Sequence, residues 1–198
     1  MRSLKQFLLS VGLLFVATTS LAFGHADAEG VAGGFISGFT HPVGGLDHVT
    51  AMVAVGLWGF FLGRPALWIL PVVFPLVMAF GGVLGLLGLP VPMIEPGIAV
   101  SSIVLGLLIA LAVKAPLWVA AVIVGAFAIF HGYAHGAELP TAANPLAYSL
   151  GFVISTGLLH LAGIAFGELG RFSWGKYVVR AGGGLIALAG VGFLTGAI

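Results

Sequence analysis

Residues 130–138, Phe-His-Gly-Tyr-Ala-His-Gly-Ala-Glu, end an apolar run that begins at Ala115 and is long enough to enter a lipid bilayer. Successive residues of an α-helix are rotated by about 100°, so His131, His135 and Glu138 fall within about 60° of one another. Two imidazoles and a carboxylate on one stripe of a helix are typical of part of a metal site. This stretch therefore predicts a membrane helix that carries metal-binding groups near its end.

A second stretch of similar chemistry lies upstream, where residues 41–48 are His-Pro-Val-Gly-Gly-Leu-Asp-His. His41 precedes Pro42, which places it at or just before the start of a helix. His48 lies about two helical turns further on and returns to about the same face. Asp47 is either a ligand or a group that orients a ligating histidine. The two stretches hold four of the six histidines, and we expect them to meet.

The composition excludes several classes of protein. Of the 198 residues, 60% are hydrophobic and 7% are charged, and the mean hydropathy is +1.21. A soluble domain of this size cannot cover so much apolar surface with so few charges, so we predict an all-α, polytopic membrane protein. The net charge of +1 excludes a basic surface for nucleic acid. The absence of cysteine excludes disulfides, thiolate metal sites and catalytic thiols.

The chain begins like a secretory signal peptide over residues 1–24. Basic residues come first, an apolar core follows, and residues 20–22, Ser-Leu-Ala, form a small-residue cleavage site. We expect cleavage near residues 22–26, and the alternative is an uncleaved first membrane helix. Cleavage after residue 22 would make His25 the third residue, where it and the terminal amine can bind Ni(II) or Cu(II) in a square plane. The alternative for His25 is a solvated histidine in the tail.

Residues 25–198 are predicted to form a single membrane domain of six helices, because hydrophobic runs are separated by Pro, Gly or a charge. Each run is close to the roughly 20 residues needed to cross about 30 Å of hydrocarbon. Residues 30–40 are expected to add a short helical lead-in at the surface. The six predicted helices are residues 42–63, 65–88, 92–113, 116–138, 145–167 and 177–195.

The basic residues predict the orientation of the chain in the membrane. A cleaved signal places the mature amino terminus outside, and the loops that are then cytoplasmic contain every Lys and Arg of the mature chain. We therefore expect a bacterial inner-membrane protein with a periplasmic amino terminus and with both histidine stretches on the outer side. The basic residues of the mature chain are Arg64, Lys114, Arg171, Lys176 and Arg180.

Further polar groups suggest a route for ions across the membrane. Glu95 opens the third predicted helix, either as a ligand or as an acid that suits the positive end of the helix dipole. Ser102 shares the face of Glu95. On the fifth predicted helix, Ser149, Thr156 and His160 lie within about 40° of one another, and His160 is about 20 Å from the outer end. The candidates for a translocation path are Ser102, Ser149, Thr156 and His160, and the alternative for the hydroxyls is a bond to their own helix carbonyls.

The sequence resembles the HupE/UreJ family of bacterial nickel and cobalt permeases. The two signatures of that family, His-Pro-x-x-Gly-x-Asp-His and Phe-His-Gly-x-Ala-His-Gly-x-Glu, are complete at residues 41–48 and 130–138. Residues 95–99, followed by Ser101, also resemble the third-helix pattern of the family. The resemblance implies uptake of Ni(II), or of Co(II), to supply hydrogenase or urease maturation. It also implies that the metal-handling positions are His41, Asp47, His48, His131, His135 and Glu138.

We expect a transporter and not an enzyme, with the metal ion as substrate, no permanently bound cofactor and the lipid bilayer as surroundings. No glycine-rich phosphate loop is present, so transport would be secondary and not driven by ATP within this chain. The alternative is an intramembrane zinc-dependent hydrolase, in which histidines and acids hold zinc with an activated water. Polar groups that continue toward the far side of the membrane favour the permease. The sequence selects no oligomeric state.

Overall fold

A computed structural model describes residues 31–137 and 144–198. Every regular element in these two ranges is helical, which confirms the predicted all-α, polytopic membrane fold. The predicted signal peptide, His25 and Glu138 lie outside the described residues. The helices are α1 Val31–Gly44, α2 Leu46–Leu62, α3 Ala66–Leu86, α4 Ile94–Ala110, α5 Leu117–Ala137, α6 Pro145–Gly167 and α7 Gly175–Thr195, with a 3-10 turn, Glu168–Arg171, between α6 and α7.

The number of helices that can cross a membrane differs from the six predicted. Among the described helices, α3, α5, α6 and α7 are long and apolar enough, and α1 with α2 adds one more if this pair, bent by 81°, counts as one span. The third predicted helix, residues 92–113, is shorter than expected, because α4 has 17 residues. Its limits are set by Met93 and Ala112, whose left-handed φ angles of 61° and 57° interrupt the helix on either side.

The start of the first predicted helix, residues 42–63, is wrong, because Pro42 lies inside α1. Pro42 has no N–H to donate to the carbonyl of Gly38 four residues earlier, and α1 stops two residues after it, at Gly44. Gly45 is extended, with φ −106° and ψ 118°, and α2 continues from it at 81° to α1. The helical lead-in predicted over residues 30–40 is confirmed as a helix for residues 31–40, which form most of α1 and pack along α6.

The helices pack as three groups: α3 with α5, α4 with α7, and α1 and α2 with α6. Gly132 and Gly136 hold α5 against α3, because a Cβ atom on either would clash with the backbone of Met78 or Gly82. In lipid, where helices gain little from the hydrophobic effect, such close backbone contact holds them together by van der Waals packing. The histidines of α5 are therefore presented by a tightly packed pair of helices.

The two ends of the bundle differ in chemistry. At the end away from the histidines, the Nε1–H of the fully buried Trp58 donates a hydrogen bond of 3.2 Å to the carbonyl of Val113. The Nε–H of Arg180 donates one of 2.7 Å to the carbonyl of Ala110, where α4 ends. The core around Trp58 is apolar, so polar side chains are concentrated in the other half. Other fully buried members of that core are Leu70, Leu105, Ile109 and Val124.

Candidate metal centre

Four imidazoles from three helices lie together at one end of the bundle. His48 of α2 has its ring centroid 4.9 Å from that of His131 and 4.4 Å from that of His135, both on α5. His41, near the end of α1, lies 4.8 Å from His135 by the same measure. The predicted meeting of the two histidine stretches is confirmed.

The bend at Gly45 explains how His41 and His48 reach the same place. The sequence predicts that they share a face of one helix, and this is wrong, because they lie on α1 and α2, which meet at 81°. The last turn of α1 and the first turn of α2 nevertheless lie side by side at the bend. Both histidines therefore contact His135, each from its own helix.

Asp47 holds His48 in place. One oxygen, Oδ1, accepts a hydrogen bond of 2.8 Å from Nδ1 of His48 and another of 2.8 Å from its backbone N–H. A carboxylate that accepts from Nδ1 fixes the proton there and leaves Nε2 with its lone pair. Of the two roles that the sequence leaves open for Asp47, this contact favours orientation of a histidine over direct ligation.

Several imidazole nitrogens in the cluster are buried without a hydrogen-bond partner. They are Nε2 of His48, Nδ1 of His131 and both ring nitrogens of His135. A buried polar atom left unpaired costs about 1–3 kcal/mol, and such atoms are rare in folded proteins. Four of them within one group of touching rings indicate a site whose partner is a ligand, and neutral imidazole nitrogens are ligands for divalent transition metals.

The rings are not already arranged as a metal shell. Within residues 31–137 and 144–198, no group of three or more His, Asp or Glu is placed to hold an ion. The imidazoles of His48 and His131 meet edge to face, at 85°, and those of His41 and His135 at 78°. The donor set suits a divalent metal, and the rings must turn from these contacts before their nitrogens converge on one ion.

Aromatic side chains enclose the histidines, and sequence analysis missed them. The ring of Phe152 on α6 lies 4.3 Å from His135, and that of Tyr148, one turn earlier, lies 5.9 Å from His41. Two aromatic residues four apart at the start of a helix were the available signal, but such pairs also occur in ordinary cores. Together they form the α6 wall of the site.

Ser101 on α4 is a further residue that sequence analysis did not assign to the site. It is fully buried, and its Oγ lies 3.0 Å from Nε2 of His131. Its neighbour Ser102, which was assigned to the path, is fully buried and pairs with the hydroxyl of Thr50 at 3.0 Å. Two adjacent serines in an apolar helix could have suggested a polar contact, but not which of them meets a histidine.

Glu95 lies at the rim of the site. It is exposed at the start of α4, and it lines a cavity of about 110 Å³ together with Asp47, Phe193 and Leu194. Glu95 and Asp47 thus bring two carboxylates to one cavity beside the histidine cluster. The sequence predicts that Glu95 lies on the same side of the bundle as the histidines, and the cavity that it shares with Asp47 confirms this.

The predicted path residues on α6 separate into two sets. Thr156 and His160 are buried, with 0% and 1% of their surface exposed. Ser149 is exposed, so its predicted place on the inner stripe with them is wrong. At the start of α6 the buried face is occupied by Ala147 and Tyr148 instead.

His160 lies beside an irregularity of α3. Its imidazole lies against the backbone carbonyl of Pro71, in a geometry short of an ordinary hydrogen bond. That carbonyl would normally accept from the residue four positions later, but Pro75 has no N–H to donate. The imidazole therefore provides a polar neighbour for an acceptor that the helix itself leaves unsatisfied.

Phe74 separates His160 from the histidine cluster. It is fully buried, and its ring centroid lies 5.6 Å from that of His131 and 5.5 Å from that of His160. One aromatic side chain thus contacts the cluster on one side and the deeper histidine on the other.

Comparison with known proteins gives one consistent result. The HupE / UreJ protein family model matches residues 13–193, which include both signature stretches. The chain is 45% identical over 193 residues to Protein HupE of Rhizobium leguminosarum bv. viciae, and the match covers 98% of this chain and 100% of that protein. No solved structure matches the chain. The chain therefore belongs to the HupE/UreJ family, as its two signature stretches predict.

Proposed function

We propose that this protein is a secondary uptake permease for divalent transition-metal ions, with Ni(II) as substrate and Co(II) as a second candidate. The observation that carries the proposal is the group of touching imidazoles, with buried nitrogens that lack partners, inside a membrane bundle. Membership of the HupE/UreJ family and the relative named Protein HupE support it. The ion would be cargo, and the metal would serve hydrogenase or urease maturation.

The ligands proposed from the described residues are the imidazoles of His41, His48, His131 and His135. All four would bind as neutral rings, so protons compete with the metal and acid opposes loading. Asp47 would orient His48, and Glu95 would attract cations to the rim through the cavity that it shares with Asp47. Glu138 and His25 stay candidates from the sequence, outside the described residues.

The proposed route leads from the cluster past Phe74 to His160. The polar neighbours on this route are few, and an ion passing Phe74 would exchange one imidazole partner, His131, for another, His160. A permease must release what it binds, so a sparse and exchangeable ligand set suits transport better than a closed hydrolytic zinc site. The buried hydroxyls of Thr156 and Ser102 are proposed as additional polar groups along this route.

The distribution of charge supports a proposed orientation of the chain in the membrane. Glu95 lies at the start of α4, and Arg180 donates to the carbonyl of Ala110 at the other end of the same helix. Basic residues mark the cytoplasmic side of membrane proteins, so the histidine end is assigned to the periplasm. We infer that the protein lies in the inner membrane, with its mature amino terminus in the periplasm, and moves metal inward.

Uptake of radioactive Ni(II) and Co(II) by proteoliposomes that contain the purified full chain tests this proposal. We expect uptake above that of protein-free liposomes. Comparing the uptake rate without a proton gradient and with a gradient of either sign shows whether metal transport is coupled to proton movement. The His135→Ala protein, reconstituted to the same density, is the control and should lose most of the uptake. The proposal would be overturned if folded wild-type protein bound neither ion and liposomes that contain it took up neither ion.

A further inference from the structure

The contact between Ser101 and His131 determines which ring nitrogen of His131 carries the proton. The Ser101 Oγ lies 2.6 Å from the carbonyl oxygen of Ile98 and 3.0 Å from Nε2 of His131. A serine hydroxyl has one hydrogen to donate, and a carbonyl oxygen can only accept. The hydroxyl hydrogen is therefore directed to Ile98, and Oγ has only a lone pair to offer to His131.

The tautomer of His131 follows from this count. If Oγ accepts, then Nε2 of His131 must be the donor and must carry the proton. In a neutral imidazole the other nitrogen, Nδ1, then has a lone pair. His131 is fully buried, and Nδ1 has no hydrogen-bond partner. One nitrogen of this ring is thus fully used within the protein and the other is available to a ligand.

His48 is held as the other tautomer, with its proton on Nδ1. Asp47 accepts from Nδ1 of His48, which leaves Nε2 buried and without a partner. The rings of His48 and His131 are neighbours, with centroids 4.9 Å apart. Two adjacent imidazoles therefore offer different nitrogens, and each is set by a different orienting group, a carboxylate on α2 and a hydroxyl on α4.

We propose that Ser101 is a positioning residue that holds His131 as the Nε2–H tautomer, so that His131 binds metal through Nδ1 and His48 binds through Nε2. The assignment of the metal rests on the proposed function, whereas the assignment of the tautomer does not. Ser101 belongs to the α4–α7 group and His131 to the α3–α5 group, so the bond also links two packed parts of the bundle across the site. Orienting groups of this kind change metal affinity by about 10–100-fold when they are removed.

The tautomer is measured on the metal-free full chain in detergent, by two-bond ¹H–¹⁵N correlation spectra of the histidine rings. Signals of His131 are assigned from their loss in His131→Ala. We expect wild-type His131 to carry its proton on Nε2, Ser101→Thr to retain this pattern, and Ser101→Ala to lose it. Ser155→Ala, which removes another buried serine hydroxyl from α6, is the matched control and should leave the His131 signals unchanged.

Ni(II) titration of the wild type, Ser101→Thr, Ser101→Ala and Ser155→Ala gives the second readout. Ser101→Ala should weaken binding by about 10-fold or more, and Ser101→Thr should stay within a few-fold of wild type. A wild-type His131 with its proton on Nδ1 would overturn the proposal without any variant. A Ser101→Ala protein with unchanged tautomer and affinity would also overturn it. Absence of Ni(II) binding by the wild type, with the Nε2–H tautomer present, would instead reject the proposed function and leave the role of Ser101 in fixing the tautomer.

Discussion

The imidazole rings of His48 and His135 lie 4.4 Å apart between centroids, although one belongs to α2 and the other to α5. Because the rings touch, the two histidines cannot serve separate ions at independent sites. We therefore expect each of His48→Ala and His135→Ala to abolish most of the Ni(II) affinity, and the double variant to cost little more than either. Isothermal titration of the purified proteins with Ni(II) provides the double-mutant cycle.

Additive losses would contradict the shared site, since distant and independent positions usually add within about 0.5 kcal/mol. Retention of one bound ion by each single variant would contradict it as well. Thermal unfolding of the metal-free variants shows whether both still fold.

A second prediction concerns His160, which contacts Phe74 and the Pro71 carbonyl and lies outside the group of touching histidines. His160→Ala should slow Ni(II) uptake by proteoliposomes several-fold and leave equilibrium binding within a few-fold of wild type. The reason is that the cluster binds the ion before the ion passes Phe74. A large loss of binding by a folded variant would move His160 into the binding site itself.

Ser149 offers a direct test of the corrected position on α6. Because its side chain is exposed and Thr156 and His160 are buried, Ser149→Ala should leave both uptake and binding unchanged. The measurement is the same proteoliposome assay, run beside His160→Ala. Slower uptake by Ser149→Ala would return this residue to the translocation path.

A fourth prediction concerns the packing of α5 on α3. Gly132→Ala places a methyl group against the backbone carbonyl of Met78, where no flexible side chain can give way, and should lower stability by about 1–3 kcal/mol. Gly184→Ala is the matched control, because a Cβ atom at this helical position meets nothing within 4 Å. The control should be neutral or stabilising by up to about 1 kcal/mol. Thermal unfolding in detergent compares the unfolding midpoints of the two variants. Equal midpoints would contradict the close packing of α5 on α3 at Gly132.

A fifth prediction concerns the apolar end of the bundle. Trp58→Phe keeps an aromatic ring but removes the N–H that bonds the carbonyl of Val113, and should cost about 0.5–1.5 kcal/mol. Trp58→Ala also leaves a cavity and should cost about 3–5 kcal/mol. Chemical unfolding of the purified proteins measures both. A Trp58→Phe protein as unstable as Trp58→Ala would show that the hydrogen bond, and not the packing, dominates.

Much of the site could be predicted because its chemistry is local in sequence. His131 and His135 are one helical turn apart, and the cost of placing imidazoles in a membrane implies that they find partners there. The upstream stretch offered the only comparable group, so the meeting of His48 with His135 followed. The family was likewise predicted from the two stretches and is confirmed by the matches.

One error arose where the backbone departs from a straight helix, and another arose where a buried stripe was placed by helical angle alone. Pro42 is typical of a helix start, but in the structure α1 packs on α6 and continues through Pro42 to Gly44. Ser149 was placed by its angle to Thr156, but the buried stripe of α6 passes through Tyr148 and Ser155, seven residues apart. On a straight helix, positions seven residues apart differ by only about 20°, so Ser149 and Thr156 share a face, but the sequence does not fix where the buried stripe begins.

The grouping of helices has a consequence for how an ion would be held and let go. His131 and His135 belong to the α3–α5 group, and His41 and His48 to the helices that pack with α6. An ion shared by them would act as a cross-link between two bodies that are each tightly packed within themselves. Loading would then couple the relative position of these bodies to the free metal concentration. Unloading would require only that they slide or tilt apart by the length of a coordinate bond, with every helix left intact.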